Sequence, residues 1–266
     1  MPRLHLVELE DLPWLPAPVR DAATGYLQLM IHQSDVFAPA VPLLARAVSR
    51  TGASRIVDLC SGGGGPWRRL AGALRDAGVA RPVLLTDRYP NPGAAAAVRG
   101  GDPSTPVALH PEPIDATQVP SSLEGFRTIF SAFHHFRPAD ARTVLADAVA
   151  DGAPIAIFEG TKRNPTCFLF MLLTPLFVLL AMPAVRPFRV TYLLFTYLLP
   201  LVPLVVLWDG IVSTLRTYDV EELRALVATV PGHDRYDWEI GEAMGPGPIP
   251  MQYLVGTPRA VQLSSS

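Results

Sequence analysis

The stretch Arg55-Ile56-Val57-Asp58-Leu59-Cys60-Ser61-Gly62-Gly63-Gly64-Gly65-Pro66-Trp67 decides how this chain folds. A short apolar run, Ile56 to Cys60, carries an acidic residue and leads into four glycines, after which an Arg/Leu/Ala-rich segment, Trp67 to Ala77, reads as a helix. A second apolar run, Val83 to Thr86, ends on Asp87. Strand, glycine turn, helix and strand in this order make a βαβ unit. The glycines leave backbone N–H groups unhindered beside the positive end of a helix dipole, which suits a bound ligand. Four glycines alone equally suit a flexible loop. Asp87, at the end of the next strand, adds the carboxylate that an α/β nucleotide site presents to two ribose hydroxyls. No lysine follows the glycines, which excludes a phosphate-cradling P-loop. The dinucleotide fingerprint Gly-x-Gly-x-x-Gly finds Gly62 and Gly64 but has Trp67 in its third place, whose bulk obstructs close helix packing.

Outward from this unit the alternation continues. Strand-like runs fall at 107–109, 128–130 and 155–158, and a helix at 139–150 carries the apolar stripe Val144, Leu145, Ala148 and Val149 before Gly152. Upstream, residues 18–50 read as one or two helices separated by Pro39 and Pro42. Downstream, Asp219-Val220-Glu221-Glu222 has the form of a capping box opening a helix to about Val230. Two late strands, 236–240 and 252–256, lack a helix between them and predict an antiparallel hairpin. The expected fold is α/β, a doubly wound sheet binding its ligand beyond the strand C-termini. The expected segments are an N-terminal helical cap (1–50), a cofactor-binding core (51–163), an apolar helical hairpin insertion (164–208) and the remainder of the core (209–266).

With these residues in place, Asp58-x-Cys60-x-Gly62-x-Gly64 resembles motif I of class I S-adenosylmethionine-dependent methyltransferases, and the string Asp58 to Trp67 resembles a bacterial subgroup of them. The resemblance runs from Glu8-Leu9-Glu10-Asp11-x-x-Trp14 to Tyr253-Leu254-Val255-Gly256. It implies a Rossmann-like seven-stranded sheet and S-adenosylmethionine as cofactor. Asp58 and the backbone of Cys60, Ser61, Gly62, Gly63 and Gly64 would hold the methionine part, and Asp87 the ribose. Asp115 and Ala116 would flank the adenine, with Arg88 and Ser131 completing the cofactor contacts. The family pattern usually has glycine where Cys60 stands. Asp115 reads equally well as a turn residue after Pro113.

Methyl transfer is an in-line displacement, so the enzyme mainly aligns acceptor and methyl and, for an OH or NH acceptor, removes a proton. His134 and His135, in Phe133-His134-His135-Phe136 after the fourth strand, have the residue type for that base. Their other reading is a loop cap before Pro138. Glu159, ending the fifth strand, is the other acid/base candidate, or else the partner of Lys162 or Arg163. Asp209, Arg216 and Tyr218 form a third cluster, read either as acceptor contacts or as a structural Asp209–Arg216 ion pair. Tyr26 and His32 on the N-terminal helix are expected over the site or in the core.

Composition bounds the partners. Twenty-two basic against 24 acidic residues, with no basic block, exclude a nucleic-acid footprint. Cys60 and Cys167 have neither disulfide nor metal-ligand spacing, no metal is expected, and a reducing compartment fits. Met1 to Arg20 lacks the apolar segment of a signal peptide, so the expected location is cytoplasmic. Between Asn164 and Trp208 the only charges are Arg186 and Arg189. The runs 166–185 and 190–208 are each long enough on paper to cross a bilayer, although a spanning hairpin would push both arginines to the far side, against the positive-inside tendency. The alternatives are a hairpin dipping into the inner face of the membrane, a buried lid, a homodimer surface and a true span. An apolar cover implies a hydrophobic small-molecule acceptor. A protein that binds the cofactor without transferring methyl remains the alternative in function.

Overall fold

The computed structural model describes residues 1–90 and 106–259. Its centre is a seven-stranded sheet in the order β3-β2-β1-β4-β5-β7-β6. The strands are β1 (Ile56–Leu59), β2 (Val83–Leu85), β3 (Val107–Leu109), β4 (Phe126–Phe130), β5 (Ile155–Glu159), β6 (Tyr236–Ala243) and β7 (Met251–Pro258). β1 to β5 run parallel, while β7 enters antiparallel between β5 and β6, as the missing helix between the last two strands predicts. The helices are α1 (Ala17–Ser34), α2 (Ala40–Thr51), α3 (Trp67–Asp76), α4 (Pro138–Ala150), α5 (Pro165–Ala181), the short α6 (Val190–Leu193), α7 (Leu201–Arg216) and α8 (Val220–Ala228). The last one carries the capping box: Asp219 accepts from the Glu222 N–H, and the Glu222 carboxylate accepts from the Asp219 N–H. The final residues of the C-terminal segment, 260–266, lie outside the described residues.

Every residue of β1, β4 and β5 is buried, as parallel strands covered on both faces must be. β4 starts two residues earlier than its apolar pattern suggests, because Arg127 interrupts that pattern. Arg127 is only 2% exposed and reaches Asp147 at 2.9 Å and Asp151 at 2.5 Å, both at the end of α4. Gly125 opens the strand at φ +151°, where a Cβ would stand 2.9 Å from Val57 Cγ2 and 3.0 Å from the Arg55 carbonyl. Only glycine passes there.

Packing divides the first 50 residues between two cores. α1 ends at Asp35 in the left-handed conformation, and Pro39 stands at the start of α2. Leu44, Ala47 and Val48 of α2 pack with Trp67, Leu70, Phe126 and Phe158 in the sheet core. Val19, Ala22, Ala23 and Tyr26 of α1 pack instead with Val178, Met182, Tyr192, Val202 and Val206 of the insertion. The insertion is a helical hairpin. α5 continues through Ala184, and its return arm, 190–198 followed by α7, is bent by 77° at Leu199-Pro200. α7 does not stop at Trp208: it continues unbroken to Arg216 and carries Asp209, Ser213 and Arg216 back to the sheet.

Candidate cofactor and acceptor site

The glycine loop is built over a buried carboxylate. Asp58, 1% exposed, accepts from the Thr128 hydroxyl at 2.7 Å and from the Ser61 hydroxyl at 2.7 Å. Burial pushes its carboxyl up to about 7, against those two hydrogen bonds. Asp58 thus faces inward, fixing β1, β4 and the loop to one another. The Ser61 N–H donates to the Thr86 carbonyl, and the Thr86 N–H to the Asp58 carbonyl, which pins the start of the loop to β2. Cys60 sits at φ +56°, and Gly62, Gly64 and Gly65 are also left-handed. This conformation explains why glycine is usual where Cys60 stands; a non-glycine residue there costs about 1–2 kcal/mol.

Asp87 meets the loop directly, one carboxylate oxygen accepting from the Gly62 N–H at 2.7 Å and the other from the Tyr89 N–H at 2.8 Å. The Ile114 N–H donates to the Asp87 carbonyl and so brings Asp115 alongside. Asp115 also closes a local turn. It accepts from the Thr117 hydroxyl and N–H, which hold its carboxyl below the usual range, and Arg88 lies 3.9 Å away. Ala116 is buried beside it. Burial and then Asp87, Asp58 and Asp115 push the Cys60 thiol up, so the three carboxylates converge on the loop. Ser131, at φ +45°, accepts from the Gly160 N–H at 3.2 Å and ties the ends of β4 and β5. Trp67 is fully buried, edge-on to Phe130, and belongs to the core.

One residue at this loop has no sign in the sequence pattern. Gln28 of α1 donates through its amide to the Gly63 carbonyl. A Cβ on Gly63 would overlap the Gln28 carboxamide. An isolated Gln inside a helix pattern carries no signal of such a contact.

Beyond the C-termini of β4 and β5 lies a buried charged cluster. Glu159 accepts from His134 at both ends, from its backbone N–H at 3.1 Å and in contact with Nδ1 at 2.9 Å. His134 is 4% exposed; burial works against its charged form, but Glu159 and then Glu8 outweigh that and raise its pKa. Its Nε2 has no hydrogen-bond partner among the described residues and faces Glu8 at 3.8 Å. His135 is the exposed one of the pair. Desolvation by the surrounding protein, then the charges of His134 and Arg216, push its pKa well down, and Arg216 Nη1 lies 3.3 Å from Nδ1. The two histidines, equivalent in sequence, are therefore distinct.

Of the two readings of Glu159, the salt bridge to Lys162 or Arg163 does not form, since Lys162 pairs with Glu242 and Arg163 with Asp219 and Glu222. The Asp209–Arg216 pair is also corrected. Arg216 lies 3.2 Å from Glu8 and 3.4 Å from Asp11, whereas Asp209 accepts from the Leu9 and Glu10 N–H groups at 2.6 and 3.0 Å. Both hold the N-terminal segment, a partner some 200 residues away that no local pattern reveals. Tyr218 donates to the Phe136 carbonyl at 2.8 Å beneath the Arg3 guanidinium. Tyr26 is buried in the insertion core, and His32 lines a shallow apolar cavity with Ile31, Phe37 and Leu70; neither joins the His134 cluster. Glu8, Asp11, Ser213 and Arg3 do, and the sequence offered only the acidic string Glu8-Leu9-Glu10-Asp11 as a sign of them. Ligand-type atoms of Glu8, His134 and His135 lie within 4.8 Å of one another, but the cation they face is Arg216.

Compared by sequence, the chain matches no family model and no curated protein. Compared by structure, it is similar to the plantazolicin methyltransferase BpumL in complex with S-adenosylhomocysteine, at 9% identity over 92% of this chain and 93% of that one, TM-score 0.58. Human N-acetylserotonin methyltransferase in complex with S-adenosylmethionine aligns at 13% identity and TM-score 0.50 over 91% of this chain and 58% of that one. A protein of Rhodobacter sphaeroides described as a zinc-dependent alcohol dehydrogenase aligns at 14% identity over 90% and 98%, TM-score 0.50. The likeness is one of fold, the Rossmann-like seven-stranded sheet of class I methyltransferases. A dinucleotide-binding sheet runs 3-2-1-4-5-6; here β7 lies antiparallel between β5 and β6.

Proposed function

We propose, from this fold, that the protein transfers a methyl group from S-adenosylmethionine to an O, N or C atom of a hydrophobic small molecule. The observation that carries the reading is Asp87 seated on the Gly62 N–H, at the mouth of the loop that Asp58 supports from below. A ribose diol would take over the Asp87 oxygens, and the loop's remaining N–H groups would meet the methionine end. The relatives of like fold that carry S-adenosylmethionine or S-adenosylhomocysteine support the choice of cofactor.

The acceptor side follows from the cluster at β4 and β5. In the transfer, the acceptor's electron pair forms the new bond to the methyl carbon and the C–S pair returns to sulfur, leaving S-adenosylhomocysteine. Where the acceptor is OH or NH, its proton goes to His134 Nε2, the nitrogen left free when Glu159 holds Nδ1. Glu159 stabilises the imidazolium so formed.

The insertion supplies the apolar character of the acceptor and a place to meet it. Leu172, Leu176 and Leu180, at helical spacing along α5, and Val190 and Leu198 on the return arm are all more than half exposed, apolar surface that water disfavours. The opposite face of the hairpin lies on α1, whose Asp21 pairs with Arg189 at the hairpin turn at 2.7 Å. A spanning hairpin would carry that ion pair to the far side and lay the rest of α1 along the lipid, so the reading is a monotopic one, with the hairpin lying in the membrane interface. Isotopically labelled S-adenosylmethionine incubated with the protein and a lipid extract tests the function: labelled product and S-adenosylhomocysteine are expected, and tight cofactor binding without either overturns methyl transfer.

A further inference from the structure

The nitrogen that must receive the acceptor's proton is covered. What covers His134 Nε2 is the N-terminal segment Arg3–Trp14, which lies outside any helix or strand and whose first part, Arg3–Glu10, runs along α7. Its ties are made turn by turn. Arg3 donates to the Arg216 carbonyl, and the Leu4 N–H to the Leu215 carbonyl at 3.0 Å. Arg216 Nε donates to the Leu6 carbonyl at 2.7 Å, and Trp208 Nε1 to the Val7 carbonyl at 3.0 Å. The Ser213 hydroxyl donates to Glu8 at 2.8 Å, and Asp209 accepts from Leu9 and Glu10. Glu8 is thereby placed between His134 and the outside.

The apolar side chains of this strap point the wrong way for a permanent cover. Leu4, Leu6, Val7 and Trp14 are 45, 41, 54 and 67% exposed, although the strap is held by polar bonds alone along most of its length. Val7 is tied to Trp208, itself exposed on α7 together with Leu201 and Leu204, so at this point the strap meets the apolar return arm of the hairpin. Residues 165–207 include no acidic residue, and among the described residues the exposed Arg186 donates only to the carbonyls of Pro183 and Val185. Anionic lipid headgroups over an apolar layer complement this surface.

We propose that the strap is a lipid-responsive cover: an anionic membrane surface takes up its four exposed apolar side chains, draws it off α7 and opens His134 Nε2 to the acceptor. This rests on the reading of His134 as proton acceptor, but the opening itself needs neither cofactor nor acceptor. A protein covered in water and open on lipid confines its base to the surface where a hydrophobic acceptor is dissolved.

The test is hydrogen exchange by mass spectrometry on the full chain, with and without vesicles of phosphatidylcholine and phosphatidylglycerol, alongside diethyl pyrocarbonate labelling of His134. With vesicles, exchange of the Leu4, Leu9 and Glu10 amides should rise at least tenfold and His134 labelling should rise with it, while α5 gains protection. The L4S/L6S/V7S/W14S variant should still sediment with vesicles through the hairpin but keep its strap protected. Vesicle binding with unchanged strap exchange overturns the proposal, as does a dimer that buries the face and ignores vesicles. Opening without any S-adenosylhomocysteine formation would instead remove methyl transfer and leave the cover standing.

Discussion

Replacing Glu159 with Gln isolates the bond on which the acceptor-side chemistry rests. The carboxylate accepts from two donors of one residue, the His134 N–H at 3.1 Å and Nδ1 at 2.9 Å, in a place 5% exposed. A carboxamide has one acceptor oxygen, so while His134 is protonated one of its two donors must meet the NH2 group, whichever way the carboxamide turns. The loss is a hydrogen bond to a charged group together with part of a buried ion pair, about 3 kcal/mol. Against a total stability of about 5–15 kcal/mol this is easily measured. The pH dependence carries the sharper test. The folded pKa of His134 lies above its ordinary 6.5, so the pairing is fully present below the unfolded value and is lost as pH rises through the folded one. Urea unfolding of wild type and Glu159→Gln, followed by tryptophan fluorescence with m-values checked for constancy, should give the largest difference near pH 5.5 and a clearly smaller one near pH 9. A difference that is flat across that range would refute the charged pair, whatever its size.

Other consequences are equally open to measurement. Gly63→Ala should turn Gln28 away and cost about 1 kcal/mol, the worth of the lost amide bond; in a Gln28→Ala background the same change should be nearly free, and additive thermal shifts would contradict the contact. Asp58 has its carboxyl raised to about 7 by burial, so its protonated form favours the fold and stability falls as pH rises through that value. Asp58→Asn should therefore lose no stability at pH 8, as a denaturation curve will reveal. Cofactor binding to the wild type at pH 6.5, by contrast, should release protons that calorimetry in two buffers detects. Asp87→Ala should weaken S-adenosylhomocysteine binding about 10- to 100-fold, the worth of one charged hydrogen bond, and an unchanged dissociation constant would remove Asp87 from the ribose site.

What was legible in the sequence follows the range of the forces involved. The unit from Ile56 to Asp87 was readable because its glycines answer to local backbone geometry and its strands to continuous burial. The capping box at Asp219 was readable for the same reason. Arg127 hid the start of β4, since a charged residue is admitted to a buried strand only by the carboxylates of a helix that follows it. Asp209 and Arg216, seven residues apart on one helix, invited a local ion pair, yet each is satisfied by the distant N-terminal segment. Local spacing states which groups need partners, and the folded chain decides which partners arrive. The same limit kept Glu8 and Gln28 out of the site until the helices were placed.

α1 connects the two regions that the sequence separates. One side of it packs on the hairpin, where a Cβ on Gly25 would stand 2.7 Å from Val185 Cγ1, and Gln28, less than a turn further on, holds the Gly63 carbonyl. A helix is stiff over three residues, so pressure from the hairpin at Gly25 is felt at the cofactor loop. Gly25→Ala makes this concrete. The added methyl forces Val185 or α1 to move at an overpacking cost of about 1–3 kcal/mol. α1 is tied to the strap by Arg20, which donates to the Glu10 and Leu12 carbonyls, and to the hairpin turn by Asp21. It should therefore tilt as a unit and lift Gln28 from Gly63. S-adenosylhomocysteine affinity should then fall to the level of Gln28→Ala, with no further loss in the double variant. Lower stability with unchanged affinity would mean that the hairpin yields alone and that lipid contact at the insertion is not transmitted to the cofactor.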